Sequence, residues 1–160
     1  MSTFVIRPAQ AEDTAAIFSL IQALADYENL SDHVTGSPSD LAQHLFGDRP
    51  LITAIVATTP DQIIGFALYF YNYSTFLTKP GLYLEDLFVL PEYRGKGVGK
   101  ALLTELAKIA IAQNCGRLEW SVLDWNESAI AFYQRMGATV LPDWRICRVV
   151  EETLPQMANS

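Results

Sequence analysis

The chain has 160 residues, half of them hydrophobic, with 18 acidic against 11 basic side chains and a net charge of −7. That length suits one domain over residues 1–160 with a substantial core, and the hydrophobic share excludes a disordered chain. The acidic balance argues against a nucleic-acid binder and suits a cationic substrate, and no apolar stretch is long enough to span a bilayer.

Residues 4–7 (Phe-Val-Ile-Arg) read as a first strand ended by Pro8. No basic region followed by a long apolar run precedes it, so no signal peptide is read and a cytoplasmic protein is expected. Asp13 precedes a helical pattern in which Ile17, Leu20, Ile21 and Leu24 share one face, through about Tyr27. Residues 31–37 form a polar loop, and Pro38 opens a short helix to about Phe46. Residues 51–58 and 62–73 read as strands joined by the turn Thr59-Pro60-Asp61, which makes a hairpin.

A loop over residues 75–81 leads to the strand 83–89, ended by Pro91. Val98, Leu102, Leu106, Ile109 and Ala110 then recur at helical spacing, with Leu103 widening the stripe, and Gly116 marks the helix end. Residues 117–123 read as another strand and residues 127–136 as a short helix stopped by Gly137. Thr139-Val140-Leu141 and residues 144–150 look like a closing pair of strands, with residues 158–160 as a frayed tail. The fold class expected is α/β, with a mixed, largely antiparallel sheet. Cys115, Cys147, His33 and His44 carry no metal-ligand or redox spacing, so no metal is expected.

Between the strand 83–89 and the helix that follows lies Tyr93-Arg94-Gly95-Lys96-Gly97-Val98-Gly99. A strand, a glycine-rich turn and a helix start make a concave row of backbone N–H groups at the positive end of a helix, which suits phosphate or pyrophosphate. The dinucleotide fingerprint does not fit, because the spacing is R-x-x-G-x-G rather than G-x-G-x-x-G. The Walker sequence fails as well, since no Gly-Lys-Ser/Thr follows. A plain turn remains the alternative on this segment alone.

The second constellation is Asn126-Glu127-Ser128-Ala129-Ile130-Ala131-Phe132-Tyr133-Gln134-Arg135-Met136-Gly137-Ala138. With the glycine turn about thirty residues earlier, the chain resembles the GNAT N-acetyltransferase superfamily over nearly its whole length. It is most similar to the diamine (spermidine/spermine) N-acetyltransferases and their thialysine-acetylating relatives. The narrower likeness rests on residues 4–9, Ala25-Asp26-Tyr27-Glu28, residues 83–89, Trp125-Asn126-Glu127 and Trp144-Arg145.

The resemblance implies a GNAT-like single domain, a twisted sheet with helices on both faces and a splayed pair of central strands. It implies acetyl-coenzyme A as co-substrate and direct transfer of acetyl to an amine. The pyrophosphate would lie on the backbone of Arg94, Gly95, Lys96, Gly97, Val98, Gly99 and Lys100. The pantetheine arm would run along Leu87, Phe88 and Val89, with Asn126, Ser128 and Ala129 also touching the cofactor.

An amine attacks a thioester only when neutral, so a carboxylate must accept its proton. Glu85 and Asp86 are adjacent, and in a regular strand they face opposite sides unless a bulge intervenes. The resemblance puts Glu85 on the substrate side, as amine binder and base, and Tyr133 as the acid for the departing thiolate. The N–H of Phe88 would meet the developing oxyanion. Tyr27, Glu28, Glu85, Asp86, Glu119, Trp120 and Ser121 would bind the amine substrate, with Asp26 a further candidate. A homodimer is implied, with residues 144–150 as an exchange element.

The function expected is N-acetylation of a small polyamine or diamine. Alternatives are a thialysine or other amino-acid-like acetyltransferase, a protein N-acetyltransferase, or a coenzyme A-binding sensor without catalysis. The short hairpin turn at 59–61 and the absence of tryptophan in Tyr73-Ser74-Thr75-Phe76-Leu77 depart from the polyamine pattern.

Overall fold

Apolar runs between positions 53 and 89, near-continuous where both sheet faces are covered, pair into the sheet that organises the chain. The structure, a computed structural model, describes residues 3–160. Two compact units divide the chain, the first ending at Ser121 and the second running from Val122 to Ser160.

The first unit contains β1 (Val5–Pro8), α1 (Thr14–Tyr27), α2 (Pro38–Phe46), β2 (Thr53–Thr58), β3 (Ile63–Ser74), β4 (Lys79–Val89), α3 (Val98–Ala112) and β5 (Leu118–Glu119). The sheet order is β1-β2-β3-β4-β5, antiparallel throughout except for the parallel β4–β5 pair. Ile17, Leu20 and Leu45 of α1 and α2 cluster with Ala54, Val56, Phe66, Leu68 and Phe88 on one sheet face. Alternation turns Ile55, Ala57 and Ala67 to the opposite face, and α3 packs across the sheet with Leu102, Leu103 and Leu106 buried. Helices therefore cover both faces, as expected. Full burial of a side chain such as Phe66 or Leu102 contributes roughly 1.5–3 kcal/mol.

A 3-10 turn at Ala11–Asp13 leads into α1. Within it the buried Asp13 accepts two hydrogen bonds from the Arg7 guanidinium, at 2.7 and 3.1 Å, and one from the Gln10 N–H at 2.7 Å. This pairing holds the Asp13 carboxyl below its usual range, because protonation would break the bonds to Arg7. At its other end α1 stops on Asn29, in the left-handed region at φ 61°, with Leu30 N–H bonded to Ala25 C=O at 2.8 Å.

Two expected strands come out differently. The strand expected over 117–123 is confined to β5, whose pairing with β4 covers only Leu82↔Leu118 and Tyr83↔Glu119. Pairing with β4 ends there, and β5 is the sheet edge rather than a central strand. The expected closing strands at 139–141 and 144–150 are absent.

The second unit contains α4 (Glu127–Arg135) and α5 (Leu154–Ala158), with residues 138–150 irregular between them. Trp144 and Ile146 are exposed there. Strand-forming side chains do not make a strand without a partner, and among the described residues of this unit none offers one. The short helix α5 overlaps the stretch expected to fray. No helix among the described residues is long and apolar enough to cross a membrane.

Candidate active site

The apolar residues of β4 change parity along the strand. Leu82 and Leu84 are buried on one register, and Leu87 and Val89 follow on the other. The cause is a β-bulge: Tyr69 pairs with Leu84 and Leu68 with Asp86, which leaves Glu85 as the extra residue. Asp86 consequently shares its face with Phe88, at the margin of the core cluster that carries α1, while Glu85 is exposed.

Burial pushes the Asp86 carboxyl up to about 6, helped by the nearby charges of Glu85 and Glu28. Glu28, half-buried at the end of α1, is itself raised by burial. No ion pair among the described residues neutralises these acids; the salt bridge of Arg7 with Asp13 lies elsewhere. Three carboxylates from two elements therefore lie within electrostatic reach of one another, an arrangement chemically suited to a cation and to a base stronger than an ordinary carboxylate.

Beyond Tyr83 no strand among the described residues pairs with the outer edge of β4. The Leu90 N–H bonds Ile64 C=O at 2.9 Å, so the same-phase Phe88 N–H points inward to β3, opposite Phe66. This corrects the expectation for Phe88 as oxyanion donor. The open edge instead carries the N–H groups of Leu87 and Val89.

Past a 3-10 turn at Pro91–Tyr93, the glycine turn runs into α3. Gly95 and Gly97 have φ of 74° and 87°, and open space surrounds the position a Cβ would take at each. Both values lie in the left-handed region that glycine adopts without strain. Gly97 is the N-cap and offers no side chain to the helix amides. With Ala101 N–H making the first helical bond, to Gly97 C=O, the amides of Val98, Gly99 and Lys100 are left for a ligand. Gly99 lies inside the first turn of α3 rather than in the left-handed region. A pyrophosphate fits this cradle by backbone alone. Lys96 Nζ lies 5.4 Å from the ring centre of Tyr93, whose hydroxyl accepts from Gln62 Nε2 at 3.3 Å.

Arg94 is turned elsewhere. Its Nε donates to Val89 C=O at 2.9 Å, and its Cζ lies 5.0 Å from the ring centres of both Tyr27 and Phe88. Sequence reasoning gave Arg94 a role through its backbone only; nothing in spacing foretells the side-chain contacts with Tyr27, which is 67 positions away. It also missed the hydrogen bond between Tyr83 Oη and Ser121 Oγ at 3.0 Å, which ties β4 to the residue two beyond β5. Glu119 and Trp120 beside it are half-buried.

Within the second unit, buried Asn126 caps α4, its Oδ1 accepting from Ala129 N–H at 3.4 Å and from Ser128 Oγ at 3.4 Å. All three residues expected at the cofactor thus meet at one helix start, and Asn126 has a structural task there. Tyr133 lies on α4, half-buried, with its ring centre 5.6 Å from that of Phe132. No cluster of three metal-ligating side chains occurs among the described residues.

Comparison with known proteins places the chain in a family. The family model described as the acetyltransferase (GNAT) family matches residues 17–138. Thialysine N-epsilon-acetyltransferase of Bos taurus is 36% identical over 170 residues, covering 99% of each chain. L-ornithine N5-acetyltransferase NATA1 of Arabidopsis thaliana is 35% identical, covering 93% of this chain and 85% of the relative. Among solved structures, the integron cassette protein VCH_CASS6 from the mobile metagenome of V. cholerae superposes with a TM-score of 0.81 at 30% identity, covering 100% of this chain and 99% of the other. The chain therefore belongs to the acetyltransferase (GNAT) family and is an N-acetyltransferase whose acetyl donor is acetyl-coenzyme A.

Proposed function

We propose that the chain acetylates a primary amine of a small diamine or polyamine, and that its two units act as one catalytic domain, since the family match spans both. The observation that carries this reading is the uncompensated acid cluster of Glu28, Glu85 and Asp86 at the β4 bulge. It favours a substrate with more than one ammonium group, one to react and one to be held by charge. The names of relatives, thialysine, L-ornithine and spermidine/spermine acetyltransferases, agree with a small amine of that kind.

Bound acetyl-coenzyme A supplies the acetyl group as an activated thioester. The chain's residues do the rest. The amides of the glycine turn and of Val98, Gly99 and Lys100 hold the pyrophosphate, and Leu87 and Val89 offer N–H groups along the open edge of β4 for the pantetheine arm and the acetyl oxygen. Glu28 and Glu85 hold the ammonium. Asp86, raised to about 6, accepts the proton of the reacting ammonium better than an ordinary carboxylate would, directly or through water. Tyr133 donates a proton to the departing thiolate. Tyr27, Glu119, Trp120 and Ser121 line the substrate side, with Asn126, Ser128 and Ala129 assisting the cofactor.

We also propose a homodimer acting in the cytoplasm. Exposed Trp144, Ile146 and Val150 in the irregular segment favour a second copy as their cover, and two free cysteines suit a reducing compartment.

Release of free thiol from acetyl-coenzyme A tests the function, with putrescine, spermidine, thialysine, ornithine, lysine and a basic peptide offered in turn. Turnover of the diamines and polyamines at least tenfold above the peptide is expected. Preference for the peptide would overturn the reading.

A further inference from the structure

The Arg94 guanidinium bridges two elements of the first unit, β4 and α1. Its Nε holds Val89 C=O on the open edge of β4, while its planar group lies 5.0 Å from the ring centres of Phe88 on β4 and Tyr27 on α1. Tyr27 is the last residue of α1 and Glu28 is its C-cap. The chain reverses directly after it, through left-handed Asn29 and the bond from Leu30 N–H to Ala25 C=O. Asp86 lies on the same face as Phe88, and the charge of Glu28 reaches it. A contact that holds the Tyr27 ring against Phe88 therefore also sets how far Glu28 stands from Asp86.

We propose that the Arg94 side chain is a positioning residue for the amine, clasping the α1 end to β4 so that Glu28 and Asp86 form one cation receptor. Its backbone belongs to the pyrophosphate turn, so one residue serves the two substrates by different parts. A guanidinium can do this where an ammonium cannot. Its Cζ lies over two rings while its Nε donates to a carbonyl, and lysine offers no planar group to lie against aromatic faces and no fixed donor geometry. This inference rests on the amine acetylation proposed above.

Three readouts test it in Arg94→Ala and Arg94→Lys. Amine KM should rise about tenfold in both variants, with kcat within about threefold of wild type, as expected when uniform binding is lost. Acetyl-coenzyme A affinity, measured by calorimetry, should stay within about twofold because the turn binds by backbone. Hydrogen exchange at the amides of Glu28, Asn29 and Leu30 should quicken in both variants, because the helix end is no longer held.

Tyr27→Ala should reproduce the KM effect, and adding Arg94→Ala to it should cost little more, since coupled partners are not additive. A tenfold loss of acetyl-coenzyme A affinity with unchanged amine KM would make Arg94 a phosphate ligand and overturn the inference. Unchanged exchange at residues 28–30 would overturn it as well, whichever amine the enzyme takes. If no amine is turned over, the acetyltransferase substrate reading fails, while hydrogen exchange and cofactor affinity still decide the clasp.

Discussion

Asp13 and Asp86 are both withdrawn from water in the first unit, and they are treated in opposite ways. Asp13 meets a guanidinium through two hydrogen bonds and a backbone N–H through a third, and its carboxyl is held below the usual range. Asp86 meets two further acids, and its carboxyl is pushed up to about 6. A paired acid joins β1 to α1 and has no charge left for a ligand. An uncompensated one either takes up a proton or is met by a cation from outside, so on the proposed function the contrast separates a structural acid from a functional one.

The largest effect should come from removing that function. Asp86→Asn should lower amine turnover at least about a hundredfold, the size expected for a lost general base. Acetyl-coenzyme A binding, measured calorimetrically, should be kept. In wild type, kcat/KM for the amine should rise with pH through about 6 as Asp86 loses its proton, and Asp86→Asn should lack that limb. A variant as active as wild type would erase the distinction between the two acids.

Stability should change in opposite directions. Asp13→Asn breaks a charge-assisted pair whose carboxylate is buried, at a cost of about 2–3 kcal/mol. Its lowered carboxyl contributes stability that is present above the ordinary carboxylate range and is lost as pH falls. Asp86 has the reverse sign. Its raised carboxyl favours the folded state below about pH 4 and loses that contribution as pH rises through about 6. Asp86→Asn should therefore match wild type near pH 4 and exceed it by about 1–2 kcal/mol at pH 7.5, a rise of several degrees in Tm. Thermal melts of both variants at the two pH values check the pair of signs. Asp86→Asn melting below wild type at pH 7.5 would mean that Asp86 has a partner after all.

How much of this contrast is legible in the chain depends on the distance between the groups involved. The near-continuous apolar runs of β2 and β3, the apolar positions of β4 and the helical stripes of α1 and α3 are local, and they foretell the sheet and the helices that cover it. The bulge leaves a local mark too, since Leu82 and Leu84 give way to Leu87 and Val89 across Glu85-Asp86. That parity break is the signal that could have assigned the buried face to Asp86 rather than Glu85. The Arg94 contacts with Tyr27, and the pairing that the 144–150 segment lacks, leave no mark in local pattern. A side chain's choice among distant partners, and a strand's need for one, are decided by the fold.

Glycine 97 sharpens the contrast from the opposite side of the site, where no side chain is needed. At φ 87° an alanine is strained by roughly 1–2 kcal/mol, and its Cβ would enter the open space kept for the pyrophosphate. Gly97→Ala should thus weaken acetyl-coenzyme A binding about tenfold while leaving the acid limb near pH 6 in place.

The smallest effect should come from Glu85, the neighbour of Asp86 and the residue that the sequence favours as base. It is the extra residue of the bulge and stands exposed, where a charge acts through water rather than through a desolvated contact. Glu85→Gln should raise amine KM about threefold at low ionic strength, with kcat little changed, and the difference should shrink as salt is added. The same substitution removes one of the charges that raise Asp86, so the acid limb should move to lower pH. A hundredfold loss of kcat in Glu85→Gln, with the limb unmoved, would return the proton to Glu85 and leave Asp86 as the amine's counter-ion.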